Sequence, residues 1–353
     1  MRASIRAFRA LPKADLHSHI DGSVPARVLF QIAKRLRLKI STRSGLELGN
    51  VSSFMSFLAA DGYGSMLDNI VDRFYPITGL MQSEEAIKDV GVAYVRGQKE
   101  DGVAYAEGRF APQYHTREGL SLKEVISSMA SGLREGAEKY GVKVRLIAGI
   151  GRESTARLGE EVARAAASSG LVAALDLCGP EAGHPAQKFK RAFKTAAASG
   201  LKVTVHAGEG AGSLAQNLAN IEFAITQLKA NRVGHAVNLA RDSRLMSMVK
   251  DKSVAVEMNP VSNLVLQNIR GFGDLRIDRL LNEGINVSLN SDDPAIWPHG
   301  SLSEVYSSVC RSYDFGMKQI DALVQNSFRG AFTSDTEKAW LTELYQDARR
   351  RVT

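Results

Sequence analysis

Apolar and β-branched residues gather in eight short runs spread along the chain: ADLHSH at 14–19, VAYAEGRF at 103–110, KVRLIAGI at 143–150, LVAALDLC at 171–178, KVTVHA at 202–207, RVGHA at 232–236, SVAVEM at 253–258 and NVSLNS at 286–291. Each has the length of a strand. Between them the apolar positions recur at helical spacing, over Leu122 to Tyr140, Thr155 to Ser168, Ala186 to Ser199, Leu214 to Leu228 and, more briefly, Ile277 to Asn282. Strands alternating with helices predict parallel βα units, and about eight of them close into a (β/α)8 TIM-like barrel of the α/β class. Two segments exceed that alternation. Residues 24–101 hold several helical patterns between the first and second strands, and a helical tail follows Leu302. Both read as additions to one barrel domain spanning 1–353.

Within the insertion, residues 43–67 are rich in Gly and Ser yet carry Phe54, Met55, Phe57 and Leu58. That pattern fits a cover with an apolar underside, with Phe57 and Leu58 against a substrate, or else a satellite of the core.

Composition narrows the class. The chain has 353 residues, 44% hydrophobic and 24% charged, which excludes disorder and collagen-like or disulfide scaffolds. No apolar run approaches the ~18 residues of a membrane-spanning helix, so no membrane partner is expected. Cys178 and Cys310 are far apart in sequence and have no C-x-x-C spacing. They form neither a disulfide framework nor a thiolate metal site, which suits a reducing cytoplasm. The positive charge is uneven: residues 1–45 hold ten Lys or Arg against Asp15 and Asp21. Residues 1–10 read as a short basic arm. No aromatic stacking residues are interleaved with these charges, so a solvated face is expected rather than a nucleic-acid partner.

The chemistry-bearing residues lie at the ends of the predicted strands. His17 and His19 stand two apart in LHSHIDG, so on an extended strand both rings point to one face. VTVHAGEG supplies His206 at another strand end with Glu209 three residues on, and NVSLNSDDP ends a further strand with Asp292 and Asp293. Three histidines and one carboxylate at the C-terminal mouth of a barrel make a nitrogen and oxygen set that suits zinc. Glu209 is then free to move protons. His235 in RVGHA is a fourth strand-end histidine, better placed as a general base beside a water than as another ligand.

These stretches carry a family resemblance. LPKADLHSHIDGS at 11–23, DGVAYAEGRFAP at 101–112, LDLCGPE at 175–181, VHAGEG at 205–210, RVGHA, NPVSN at 259–263, SLNSDDP at 288–294 and NSFRGAF at 326–332 run in the order seen in the adenosine deaminase family of the amidohydrolase superfamily, which the chain resembles. The resemblance implies that His17, His19, His206 and Asp292 bind one zinc, Glu209 donates to purine N1 and His235 assists the attacking water. It further implies that Asp293 addresses N7 and the backbone of Gly179 addresses N3. The strand-four end reads LDLCG and lacks the bridging Lys or carboxylate of binuclear relatives, so one zinc per chain is expected. Asp21 after H-x-H goes, in the family, with a nucleoside 5′-hydroxyl, so the expected small-molecule partner is a purine nucleoside. The alternatives are another 6-aminopurine, such as a 5′-substituted adenosine or adenine, and a non-catalytic binding protein on the same scaffold.

Three positions depart from the family pattern. Ala236 follows the assisting histidine where Gly is usual, and Asn259 replaces the usual Cys before Pro-x-Ser-Asn. Asp61 and Gly62 follow Ala60 where an apolar or aromatic residue is expected.

Overall fold

The computed structural model describes residues 4–59, 67–210 and 212–352. Positions 60–62, one of the departures above, lie outside the described residues. Eight strands follow one another in chain order in a single parallel sheet: β1 (Lys13–His19), β2 (Val103–Phe110), β3 (Lys143–Gly151), β4 (Val172–Cys178), β5 (Lys202–Ala207), β6 (Arg232–His235), β7 (Ala255–Met258) and β8 (Val287–Leu289). Backbone bonds from Asp292 N–H to His17 O (2.9 Å) and from His19 N–H to Asp292 O (2.8 Å) bring the two ends of the sheet together. The fold is a (β/α)8 barrel with extra helices, as the alternation predicts.

Local chemistry explains where the helices start and stop. The Leu122–Tyr140 helix opens on a capping box between Ser121 and Glu124 and stops at Gly141, whose backbone is left-handed at φ 71°. Thr155, Ser213 and Ser301 cap three other helices by accepting from backbone N–H groups in their first turns. The Ala186 to Ser199 stretch divides into a 3-10 turn at Ala186–Phe189 and a helix at Lys190–Ala198.

The 24–101 segment contains helices at Ala26–Leu36, Val51–Leu58, Leu67–Leu80 and Glu84–Glu100, and the tail contains Leu302–Ser312, Met317–Gly330 and Asp335–Val352. On Val51–Leu58, Phe54 and Leu58 are buried and Met55 is 48% exposed, so the apolar underside is packed. The N-terminal stretch, expected as a short basic arm, is helical over part of its length. Ile5–Ala10 is helical, and Phe8 is buried against Tyr306 with ring centroids 5.5 Å apart. Burying that ring contributes on the order of 2 kcal/mol, and it costs Arg6 and Arg9 no solvation, since both stay exposed.

Candidate functional site

The chemistry gathers at the C-terminal ends of the strands. His17 and His19 lie on β1, His206 on β5, His235 at the end of β6, and Asp292 and Asp293 just beyond β8. The Nε2 atoms of His17 and His206 are 3.1 Å apart, as are those of His19 and His206. Asp292 Oδ1 lies 3.4 Å from His17 Nε2 and 3.5 Å from His19 Nε2. Ligand atoms bound at ~2.0–2.1 Å to one tetrahedral ion are about 3.3 Å apart, so these spacings fit the edges of a metal site.

The far sides of the rings decide what the Nε2 atoms carry. His17 Nδ1 donates to Glu257 Oε2 at 2.7 Å, and His206 Nδ1 donates to Asp176 Oδ2 at 3.0 Å. With their protons on Nδ1, the two imidazoles turn bare lone pairs towards each other, an arrangement that repels unless a cation lies between them. The donor set therefore fits a metal ion.

Beneath the site lies a buried charge network that the strand pattern did not reveal. Arg109 donates to Asp176 (2.9 Å) and to Glu257 (3.1 Å), and Arg232 bridges Glu257 and Glu107. Parallel register puts these residues at neighbouring heights: His19 pairs with Arg109, His206 with Gly234, and Gly234 with Glu257. Burial would raise the Glu257 carboxyl's pKa, but Arg232, Arg109 and His17 outweigh it and hold the group well below the usual range. The available signal was the presence of Glu107, Arg109, Asp176, Arg232 and Glu257 inside otherwise apolar runs. Glu181, also passed over, accepts from the N–H groups of Gly208 (3.1 Å) and Glu209 (2.8 Å) and so fixes the turn that carries Glu209.

Around the metal-binding set, burial controls protonation. Glu209 is pushed well above the ordinary carboxyl range by burial first and then by Asp292 and Glu181, which favours its protonated form. Asp293 is raised likewise by burial and by Asp292, Asp21 and Glu209. Asp21 is pushed up to about 6 by burial, which leaves it mostly ionised at pH 7. Buried His235 is held well below its usual value and stays neutral.

His235 Nε2 is 3.8 Å from Glu209 Oε1. Its ring also comes within metal-sharing range of His17, His206 and Asp292. Two amides hold it aside, however, with Asn263 Nδ2 3.1 Å from Nδ1 and Asn259 Nδ2 3.2 Å from Nε2. A neutral imidazole has one N–H and one lone pair, so it cannot accept from both amides. The buried Oδ1 atoms of both asparagines are without a partner among the described residues. If Asn259 donates to the Nε2 lone pair, the ring proton lies on Nδ1, on the side facing Asn263. The Asn259 departure therefore touches His235 directly.

Backbone strain collects at the same place. His235, Ala236 and Asp292 adopt left-handed φ values of 65°, 46° and 62°. Polar residues tolerate that region better than Ala does, so Ala236 bears a cost of ~1 kcal/mol that Gly would avoid. Two glycines are needed for close approach. A Cβ on Gly22 would fall 1.8 Å from Asp293 Oδ1, and one on Gly234 would fall 2.7 Å from the His17 ring.

Of the other expected residues, Gly179 follows β4 directly, and Asp21 is buried with Oδ1 unpartnered among the described residues. Leu58 lines a cavity of about 1450 Å³ at the barrel mouth, whose described lining does not include Phe57. Phe57 instead packs half-buried on the hydrophobic core, because adjacent residues on a helix point ~100° apart.

Comparison with known proteins agrees with the geometry. A family model for adenosine deaminase matches residues 12–348. A protein of Wolinella succinogenes named adenine deaminase is 30% identical over 336 residues, covering 95% of this chain and 97% of its own. One of Clostridium botulinum named adenosine deaminase is 29% identical over 343 residues, covering 96% and 99%. The crystal structure of adenine deaminase from Arthrobacter aurescens superposes with a TM-score of 0.85 at 27% identity, over 96% of this chain and 99% of that one. With the match running nearly end to end across the strand ends described above, the chain belongs to the adenosine deaminase family of amidohydrolase-type deaminases.

Proposed function

We propose that the protein is a zinc-dependent deaminase that hydrolyses the 6-amino group of adenosine and 2′-deoxyadenosine, giving the 6-oxo nucleoside and ammonia. The observation that carries the reading is the placement of Glu209 3.8 Å from His235 beside the His17, His206 and Asp292 cluster, where burial raises the Glu209 carboxyl and lowers the His235 imidazole, as an acid and a base require. A zinc ion held by His17, His19, His206 and Asp292 supplies Lewis acidity that makes water nucleophilic near neutral pH. His235 accepts a proton from the attacking water at Nε2. Glu209 gives its proton to N1, which draws electrons into the ring and opens C6 to attack. Asp293, protonated, can donate to N7, an atom that only accepts. The Gly179 backbone meets N3, and the ionised Asp21 accepts from the ribose 5′-hydroxyl. Water adds at C6, and the amino group leaves as ammonia. A cytoplasmic location belongs to the same reading, supported by two buried free cysteines.

The names of the relatives favour a second reading, with adenine as substrate. Asp21 argues for the nucleoside, because its unpartnered buried oxygen suits a donor such as the ribose 5′-hydroxyl, which adenine does not carry. Values of kcat/KM for adenosine, 2′-deoxyadenosine, AMP and adenine, with Asp21→Ala alongside, test the choice. Adenosine is expected first, with the selectivity falling in the variant. Faster turnover of adenine, or unchanged selectivity in Asp21→Ala, would overturn it.

A further inference from the structure

The proposed chemistry leaves the large cavity at the barrel mouth without a role. Its volume of about 1450 Å³ exceeds the ~300–1,000 Å³ of ordinary small-molecule pockets. Three of its walls are chain segments that lie within a few residues after site residues. Pro25–Val28 comes after Asp21, Leu264–Arg270 after Asn263, and Pro294–Pro298 after Asp293. Within the last segment, Ala295 N–H donates to Gly22 O (2.9 Å), and the N–H groups of Ile296 and Trp297 donate to Asp293 O (2.9 and 3.0 Å). The walls of the cavity are thus tied to the segments that carry site residues by short connections, one of them hydrogen-bonded.

Its lining has a consistent chemistry. Much of the wall is apolar, with Met55 and Leu264 exposed into it at 48% and 37%. Its charged groups are Arg27, Arg96 and Arg270, and among the described residues no Asp or Glu lines it. Arg96 and Arg270 have only loose carboxylate neighbours, at 3.4 and 3.6 Å, and Arg27 has none within ion-pair distance among the described residues. Trp297 adds an independent sign of a missing acceptor. It is 4% exposed, and its buried indole N–H has no partner among the described residues. A buried donor left unmatched costs about 1–3 kcal/mol, so an occupant offering an acceptor there is favoured. The interior of the site has the opposite character, since Asp21, Asp293 and Glu209 crowd it with carboxyls.

We propose that this cavity is a subsite for an apolar arm, ending in an anion, on the 5′ side of a 6-aminopurine nucleoside. The inference rests on the deaminase reading above and refines its substrate class. A 5′-phosphate would bring its charge directly against Asp21, and free adenine would leave the cavity empty. An arm carries the anion past Asp21 to the three guanidinium groups, which match carboxylate or phosphate oxygens.

The test uses a matched pair of adenosine analogues linked through a 5′-amine, so that Asp21 keeps a donor. One bears a butyl arm and the other the same arm ending in a carboxylate. The expected result is a kcat/KM about tenfold or more higher for the acid, chiefly through KM, with the ratio collapsing in Arg27→Ala/Arg270→Ala. Calorimetry with the corresponding 6-oxo analogues reads the same preference as Kd without turnover. Equal values for the two arms, or a preference that survives in the double variant, would overturn the subsite. Charge-dependent binding without ammonia release from any analogue would uphold the subsite and reject the deaminase reading.

Discussion

Replacing Glu257 by Gln probes how far the candidate metal set depends on the charge network beneath it. The carboxylate receives His17 Nδ1 at 2.7 Å, Thr204 Oγ1 at 2.9 Å, Arg109 Nη2 at 3.1 Å and Arg232 Nε, and no solvent reaches it. An amide has one accepting oxygen, so its NH2 must face either a guanidinium or the His17 N–H. Donor then meets donor, and two buried arginines lose part of their compensation. Breaking a buried ion pair from one side costs about 3–5 kcal/mol. Losing the carboxylate behind a metal-binding histidine costs a further ~10–100-fold in metal affinity. The acid form of Glu257 is disfavoured in the fold, so its stabilisation is fully present above the unfolded-state pKa of ~4.3 and is lost as pH falls through the lower folded-state value. The gap between wild type and variant should therefore be widest near neutrality and narrow in acid. Urea unfolding of zinc-loaded and metal-stripped protein, with chelator competition for affinity, measures both parts. Stability within 1 kcal/mol of wild type together with unchanged zinc affinity would refute the reasoning. Should the variant fail to accumulate, Thr204→Val removes one neutral donor from the same carboxylate, with an expected cost of ~1 kcal/mol.

Other expectations concern the site itself. Glu209→Gln should retain its metal and lose ~10²-fold or more in kcat, because its proton is used as the transition state forms; a variant turning over near the wild-type rate would remove it from that role. Since Glu209 must be protonated to act and its pKa is raised, wild-type kcat/KM should fall as pH rises through a limb displaced upward from the ordinary carboxyl range, to be looked for in the pH profile. Gly22→Ala should keep the fold by circular dichroism but depress turnover, because a Cβ 1.8 Å from Asp293 Oδ1 forces that carboxyl out of place; normal kinetics would show that Asp293 has room to move. Elemental analysis of metal-replete protein should find about one zinc per chain, removable by chelator with loss of activity. Two ions at full occupancy would contradict the single-ion reading.

Much of the barrel was legible because its strands are short apolar runs separated by helical periods, and parallel pairing in chain order follows from that alternation. The helix from Leu122 to Tyr140 appears over the residues its apolar spacing marks, since capping residues at both ends agree with the period. In the N-terminal stretch, charge counts describe one face of a helix and are blind to Phe8 on the other. Phe57 and Leu58 differ for a similar reason: composition marks an apolar segment, but helical phase decides which of its residues reaches the cavity.

The sequence by itself determined which residues could hold a metal and move protons, because His, Asp and Glu at strand ends are chemically rare combinations and the barrel gathers strand ends at one mouth. It could not reveal that Asp176 and Glu257 fix the tautomers of His206 and His17, or that Asn259 and Asn263 grip His235. Those pairings join residues between 24 and 240 positions apart, and parallel register sets which of them share a level. The protonation of Glu209 and Asp293 likewise belongs to the tertiary structure, since burial and neighbouring carboxylates, not residue type, decide whether a carboxyl keeps its proton.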